Sequence, residues 1–224
     1  MAVDFEARGL VRRLRRSAGP GAAPAPLIRT VGLGSAGLPG LEPELEALRP
    51  VAVLVAGLAG GCAPDVRPGE VVVGCPVGPT VSGDWIEPGP SLVEAALTAL
   101  RASALPHRVG RLWTAPAMMA TAEVKRELWR TRGTVAVDME SAHVLDWARR
   151  AGLRALAVRA IADGPRDRVP PALVRVVSPA GLLRPCQVAR WLGQPTLVAA
   201  AWRLWRRSGR ALDHLARFLT AFRP

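Results

Sequence analysis

The sequence predicts an α/β fold built on a parallel or mixed sheet. Three observations lead there. Apolar, β-branched runs alternate with stretches of helical period between residues 26 and 161. Residues 134–161 read as strand, helix and strand in succession, with the length that a crossover unit needs. A chain of 224 residues that is 50% hydrophobic also suffices for one well-packed core.

The elements follow in order. The start, AVDFEAR, leaves almost no room for a first strand before a helical pattern sets in. GPGAAPAP (19–26) is a loop, PLIRTVGL (26–33) reads as a strand, and GLEPELEALRP (40–50) as a short helix closed by Pro50. VAVLVAGLAGG (51–61) is a buried strand running into a glycine turn, and EVVVGCPV (70–77) is a second. SLVEAALTALRAS (91–103) is an amphipathic helix, RVGRLWTA (108–115) a strand, and ATAEVKRELWRTRG (120–133) a helix with Gly133 as a left-handed cap. Strand 134–139, helix 141–151 stopped at Gly152, and strand 153–161 complete the core. Beyond about Ser178 the pattern is helical and basic. Residues 1–178 are therefore expected to form the α/β domain and 179–224 a basic helical extension.

The net charge of +12 comes almost wholly from arginine, with Lys125 the only lysine. Arginine, alanine, glycine and proline all have GC-rich codons, so part of the excess reflects base composition. No helix-turn-helix, zinc-ligand or stacking-aromatic pattern accompanies the charge, which argues against a nucleic-acid binder. Cys62, Cys75 and Cys186 have no C-x-x-C spacing and read as reduced apolar fillers. His107, His143 and His214 lack metal spacing, so no metal or organic cofactor is expected. No basic-then-apolar leader opens the chain and no window reaches the length of a membrane span, so a cytoplasmic protein is expected.

Carboxylates are seldom fully buried unless paired or reactive, which makes VAVDMESAHVL (135–145) informative. Asp138 and Glu140 end a strand there, and Asp163 ends the next one in VRAIADG. Ligands of open α/β sheets bind at the carboxyl ends of strands. Glu140 and Asp163 are thus expected to converge on one hollow. Asp138, alternating with them, reads as structural or as a helix cap. Each acid also has a plainer reading: Asp163 as a turn residue, Glu140 as a first-turn acid of a helix, and Glu6 as a surface partner of an arginine.

These segments carry a resemblance. VAVDMESAHVLDWARRAGLRALAVRAIADG resembles the purine nucleoside phosphorylase and methylthioadenosine/adenosylhomocysteine nucleosidase superfamily, with its Met-Glu-(Ser/Ala) segment, helix and strand ending in VRAISD. VAVLVAGLAGGCAPDVRPGEVVV is similar to that superfamily's GxAGG…GD(I/V)VV segment. FEAR, AVDMES, AIADGPRDRVPP and the arginine-rich tail look most like the hopanoid-associated branch, the adenosylhopane nucleosidase or phosphorylase. The resemblance implies a three-layer α/β/α phosphorylase/hydrolase-like mixed sheet, and cleavage of the N-glycosidic bond of an adenine nucleoside. It implies Asp163 as the acid sharing a proton with purine N7, and Glu6 as the base that orients and deprotonates water. It implies Glu140 on the ribose hydroxyls, Met139 against the ribose, and Gly57, Gly60 and Gly61 as a turn that the nucleoside approaches. Adenosylhopane, a lipid-linked nucleoside, is the substrate this branch implies; a soluble-substrate nucleosidase is the alternative. Superfamily members often complete their sites across an interface, which makes a homodimer one expectation.

Three departures qualify that inheritance. Val55 and Leu58 stand where the superfamily's phosphorylases place a phosphate-binding arginine and serine, so water is the expected nucleophile. Phosphate as co-substrate remains the alternative, with Arg8 or Arg29 able to supply charge. Ala162 replaces the serine before the aspartate, and the first strand is nearly absent. These changes also suggest a reading from another class, a non-catalytic relative that binds membranes. Trp191, Trp202, Trp205, Phe218 and Phe222 interleave with the tail arginines. Such helices either dock on their own domain or lie in a membrane interface, here the inner membrane.

Overall fold

The computed structural model describes residues 4–17, 26–170, 172 and 194–224. Arg184, Cys186, Arg190 and Trp191, and the expected domain boundary near residue 178, lie outside the described residues.

Five strands form the sheet: β1 (Val53–Gly61), β2 (Val71–Gly78), β3 (His107–Thr114), β4 (Ala136–Asp138) and β5 (Ala155–Asp163). They pair in the order β1-β4-β3-β2-β5, and β5 pairs back onto β1, closing the sheet into a barrel. β1 and β5 run one way, while β2, β3 and β4 run the other. The helices are α1 (Asp4–Ser17), α2 (Leu38–Leu48), α3 (Pro90–Ala102), α4 (Ala122–Arg132), α5 (Ser141–Arg150) and α6 (Pro195–Ala221), with a 3₁₀ turn at Leu33–Ser35.

Two apolar layers sandwich the strands. Val71, Val73, Leu156 and Val158 pack with Leu10 of α1, Leu92 and Leu100 of α3, and Leu215 and Phe218 of α6. Val55, Val72, Leu112, Ala157 and Ile161 pack with Leu38 of α2 and with Val144, Leu145 and Trp147 of α5. The architecture is a mixed α/β sheet covered by helices on both sides. β1, β2 and β5 read as largely apolar because both their faces are covered, whereas β3, HRVGRLWT, is only partly buried.

Two sequence expectations are corrected. Residues 26–32 form no strand; Gly37 donates its N–H to the Val31 carbonyl at 2.6 Å and turns the chain back. A closed ring offers no free edge to a sixth strand. Nor is β4–α5–β5 a parallel crossover. β1 lies between those two strands, antiparallel to β4 and parallel to β5.

The 27-residue α6 is divided by its burial. Ala211, Leu212, Leu215, Ala216 and Phe218 are buried in the first apolar layer, as is Phe222 just beyond its end. Trp202 and Trp205 on the preceding half are exposed. Among the described residues, no helix is long and apolar enough to cross a membrane.

Candidate active site

Arg159 sits in the middle of β5, flanked by Val158 and Ala160, and is fully buried. A charge there requires counter-charges, and the chain supplies three. Arg159 Nη2 lies 2.6 Å from Asp138 Oδ2 and 3.5 Å from Glu140 Oε2. Its Nε donates to Ser141 Oγ at 3.1 Å. Glu6 approaches from the first turn of α1 and is also buried.

The local fold explains each position. Asp138 ends β4 and accepts the Ser141 N–H at 3.2 Å and the Thr114 hydroxyl at 2.9 Å, so it caps α5 as well as pairing with Arg159. Glu140 is the residue preceding α5, and its Oε1 accepts the Gly34 N–H at 3.1 Å. Gly34 has φ 59°, the left-handed region that glycine enters without strain. Met139, between the two acids, is half-buried.

Glu6 Oε2 and Arg159 Nη1 are buried and have no hydrogen-bond partner among the described residues. Both border Gly57: a Cβ there would run into Arg159 Nη1 and lie 3.3 Å from Glu6 Oε2. Burial pushes the Glu6 carboxyl up to about 7, with Glu140 reinforcing the shift and Arg159 opposing it. Burial likewise raises Glu140, against the pull of Arg159. Arg159 stays charged: burial opposes its proton, but Asp138, Glu140 and Glu6 together raise its pKa.

Asp163 belongs to a second cluster. It is ion-paired with Lys125, whose ammonium also donates to the carbonyls of Gly164 at 3.0 Å and Asp167 at 3.3 Å. Three acceptors saturate the three donors of that buried lysine. Burial raises the Asp163 carboxyl and Lys125 draws it back. A cavity of about 330 Å³ has Asp163, Arg166, Asp167, Arg203 and Arg207 in its wall.

Glu140 and Asp163 are therefore held by different cations, and the Asp163 cavity has no Glu140 in its wall. Register explains why. Gly60 of β1 stands opposite both Val137 and Asp163, whereas Arg159 stands opposite Gly57. The two clusters are thus offset by three residues of β1, roughly 10 Å. The expected glycine turn is likewise part of a strand. Gly57 makes space for Arg159, Gly60 lies beside the Asp163 carboxylate, and a side chain at Gly61 would collide with Val66.

Arg159 and Lys125 escaped the sequence reading. The signal was available: one arginine inside an apolar strand, and the chain's sole lysine. A second groove, about 610 Å³, lies beside α1 between Arg8, Arg12, Arg15, Arg16 and Arg29, with Ala7 in its wall. Arg29 there is bound to Glu44. Cys62 is buried, with its thiol pushed up to about 12 by that burial, which makes it inert. Among the described residues, no group of three His, Cys, Asp or Glu side chains is placed to hold a metal.

The family model described as Phosphorylase superfamily matches residues 44–177, more than half of the chain. The chain belongs to the phosphorylase superfamily. Solved structures agree with this membership at the level of fold. A Helicobacter pylori 5′-methylthioadenosine/S-adenosylhomocysteine nucleosidase aligns with TM-score 0.66 at 15% identity, over 95% of this chain and 92% of that one. Futalosine hydrolase from the same organism aligns with TM-score 0.60 at 15% identity, over 90% and 93%. An AMP nucleosidase from Bacteroides thetaiotaomicron aligns with TM-score 0.52 at 20% identity, over 58% and 61%. No curated protein sequence matches the chain.

Proposed function

We propose that this member of the phosphorylase superfamily hydrolyses the N-glycosidic bond of an adenine nucleoside. The observation that carries the reading is the pair of atoms at Gly57, Glu6 Oε2 and Arg159 Nη1, that have no partner among the described residues. A water between them donates one proton to Glu6 and accepts from the guanidinium, which orients its lone pair toward the sugar. A carboxyl near 7 is suited to general-base work at neutral pH. The N9–C1′ bond breaks, the water oxygen bonds to C1′, and its proton passes to Glu6. Glu140 takes the ribose hydroxyls, and its charge favours the oxocarbenium-like sugar. Asp163, beyond Gly60, shares a proton with purine N7 so that adenine leaves neutral. Met139, half-buried between Asp138 and Glu140, packs against the ribose in this reading, while Gly57 and Gly61 act by leaving room for Arg159 and Val66.

The preferred substrate in this reading is adenosylhopane, giving adenine and ribosylhopane in hopanoid biosynthesis. FEAR, AVDMES and AIADGPRDRVPP support it through their likeness to the hopanoid-associated branch. Methylthioadenosine or adenosylhomocysteine is the alternative substrate. Phosphorolysis is a second reading, favoured by the arginine groove that begins one residue beyond Glu6. Product analysis of adenosylhopane and methylthioadenosine, with and without phosphate, tests the proposal. Adenine formed from adenosylhopane without phosphate is expected. A phosphate requirement, with ribose 1-phosphate chemistry in the product, overturns hydrolysis. Release from methylthioadenosine alone overturns the lipid substrate.

A further inference from the structure

The amino-terminal half of α6 presents an apolar stripe to solvent. Val198, Trp202 and Trp205 follow one another at helical spacing and are 44%, 55% and 65% exposed. The two indole rings stack on each other with centroids 5.1 Å apart. Further along the same helix, every large apolar residue is at least partly covered by the domain.

Arginine accompanies this stripe on the same helix. Arg203 and Arg206 follow Trp202 by one and four residues, are exposed, and make no ion pair among the described residues. The contacts with α1 lie further along α6, where Arg13 donates to the carbonyls of Gly209 at 3.2 Å and Gly9 at 3.1 Å and pairs with Asp213.

An apolar stripe with tryptophan, flanked by unpaired arginines, fits an anionic bilayer surface. Indoles settle at the headgroup boundary, and guanidinium groups bind lipid phosphates. Single-stranded nucleic acid fits less well, because ring faces stacked on each other are not open to bases. We propose that the amino-terminal half of α6 docks the protein on an anionic lipid bilayer. This docking is independent of the nucleosidase reading and is read without any activity measurement.

The test is flotation of the full chain with vesicles of phosphatidylglycerol mixed with phosphatidylcholine, against phosphatidylcholine alone. Binding to the anionic vesicles only is expected, with a blue shift of tryptophan emission. Trp202→Ser/Trp205→Ser should weaken binding at least about tenfold, given the apolar area each indole removes from water. Arg203→Gln/Arg206→Gln should weaken it about fivefold per arginine and flatten its salt dependence. Circular dichroism melts of both variants should match the native chain, since all four residues are exposed. Absence of flotation, or undiminished flotation of the tryptophan variant, overturns the proposal. So does a native dimer without lipid that the tryptophan variant turns into monomer, because a second copy then covers the stripe.

Discussion

Replacing Glu6 by Gln should stabilise the protein at alkaline pH while removing its activity. Burial lifts the Glu6 carboxyl from 4.5 to about 7. A group with a raised folded pKa binds more protons in the folded than in the unfolded state. Its stability contribution is complete below the unfolded value and is lost as pH rises through the folded one. At 1.36 kcal/mol per unit, the native chain loses about 3 kcal/mol to Glu6 between pH 4.5 and 8. Gln copies the protonated side chain in shape and does not titrate. Urea unfolding across that range should find Glu6→Gln equal to the native protein at the acid end, and more stable by about 3 kcal/mol at the alkaline end. Groups that do not interact with Glu6 cancel in the difference between the two proteins, while Glu140 and Arg159 help to set the size of the shift itself. Parallel curves would refute the reasoning, because Glu6 would then be solvated or fully matched by Arg159.

Arg159→Met leaves Asp138, Glu140 and Glu6 buried without their cation, so it should cost about 3–5 kcal/mol at neutral pH. Thermal unfolding at acid pH should show part of that loss restored as the carboxylates protonate. Asp163→Asn should lower adenine release by about 10²–10⁴-fold, measured by chromatography of the free base, and lower stability too, because it leaves the buried Lys125 without its counter-charge. Lys125→Met removes the cation that holds Asp163 down, so the pH profile of adenine release should shift upward on its acid-dependent limb. Phe218→Ala should cost about 3–5 kcal/mol, measured by urea unfolding, because α6 supplies core rather than an appended surface.

Much of the fold is written in local pattern. β1 and β2 are apolar runs, β5 is one broken by Arg159, and Gly133, with φ 62°, caps α4 as its position after the helical pattern indicates. Pairing partners are not written there. A strand's sequence records that its faces are covered, not which neighbour lies beside it, so the opposed directions of β4 and β5 were illegible. The same blindness promoted PLIRTVGL to a strand, although the ring had no edge left for it.

The site divides in the same way. Glu140 and Asp163 stood out because acids that end apolar strands demand an explanation, and Glu6 through the resemblance. Arg159 and Lys125 are the other halves of those explanations, and only packing reveals which cation meets which acid. The amphipathic pattern of α6 is identical for a helix facing its own core and one facing lipid. Burial resolves it into one half that packs inward, at Leu215 and Phe218, and one that leaves Trp202 and Trp205 outside.

The central claim is that Glu6 and Arg159 deliver water to the sugar of an adenine nucleoside. Incubating the enzyme with such a nucleoside in ¹⁸O-labelled water, then weighing the sugar product, tests it most directly. The account predicts one labelled oxygen at C1′, and no labelled product from Glu6→Gln. An unlabelled C1′ carrying phosphate, or full labelling by the Glu6→Gln protein, would contradict it.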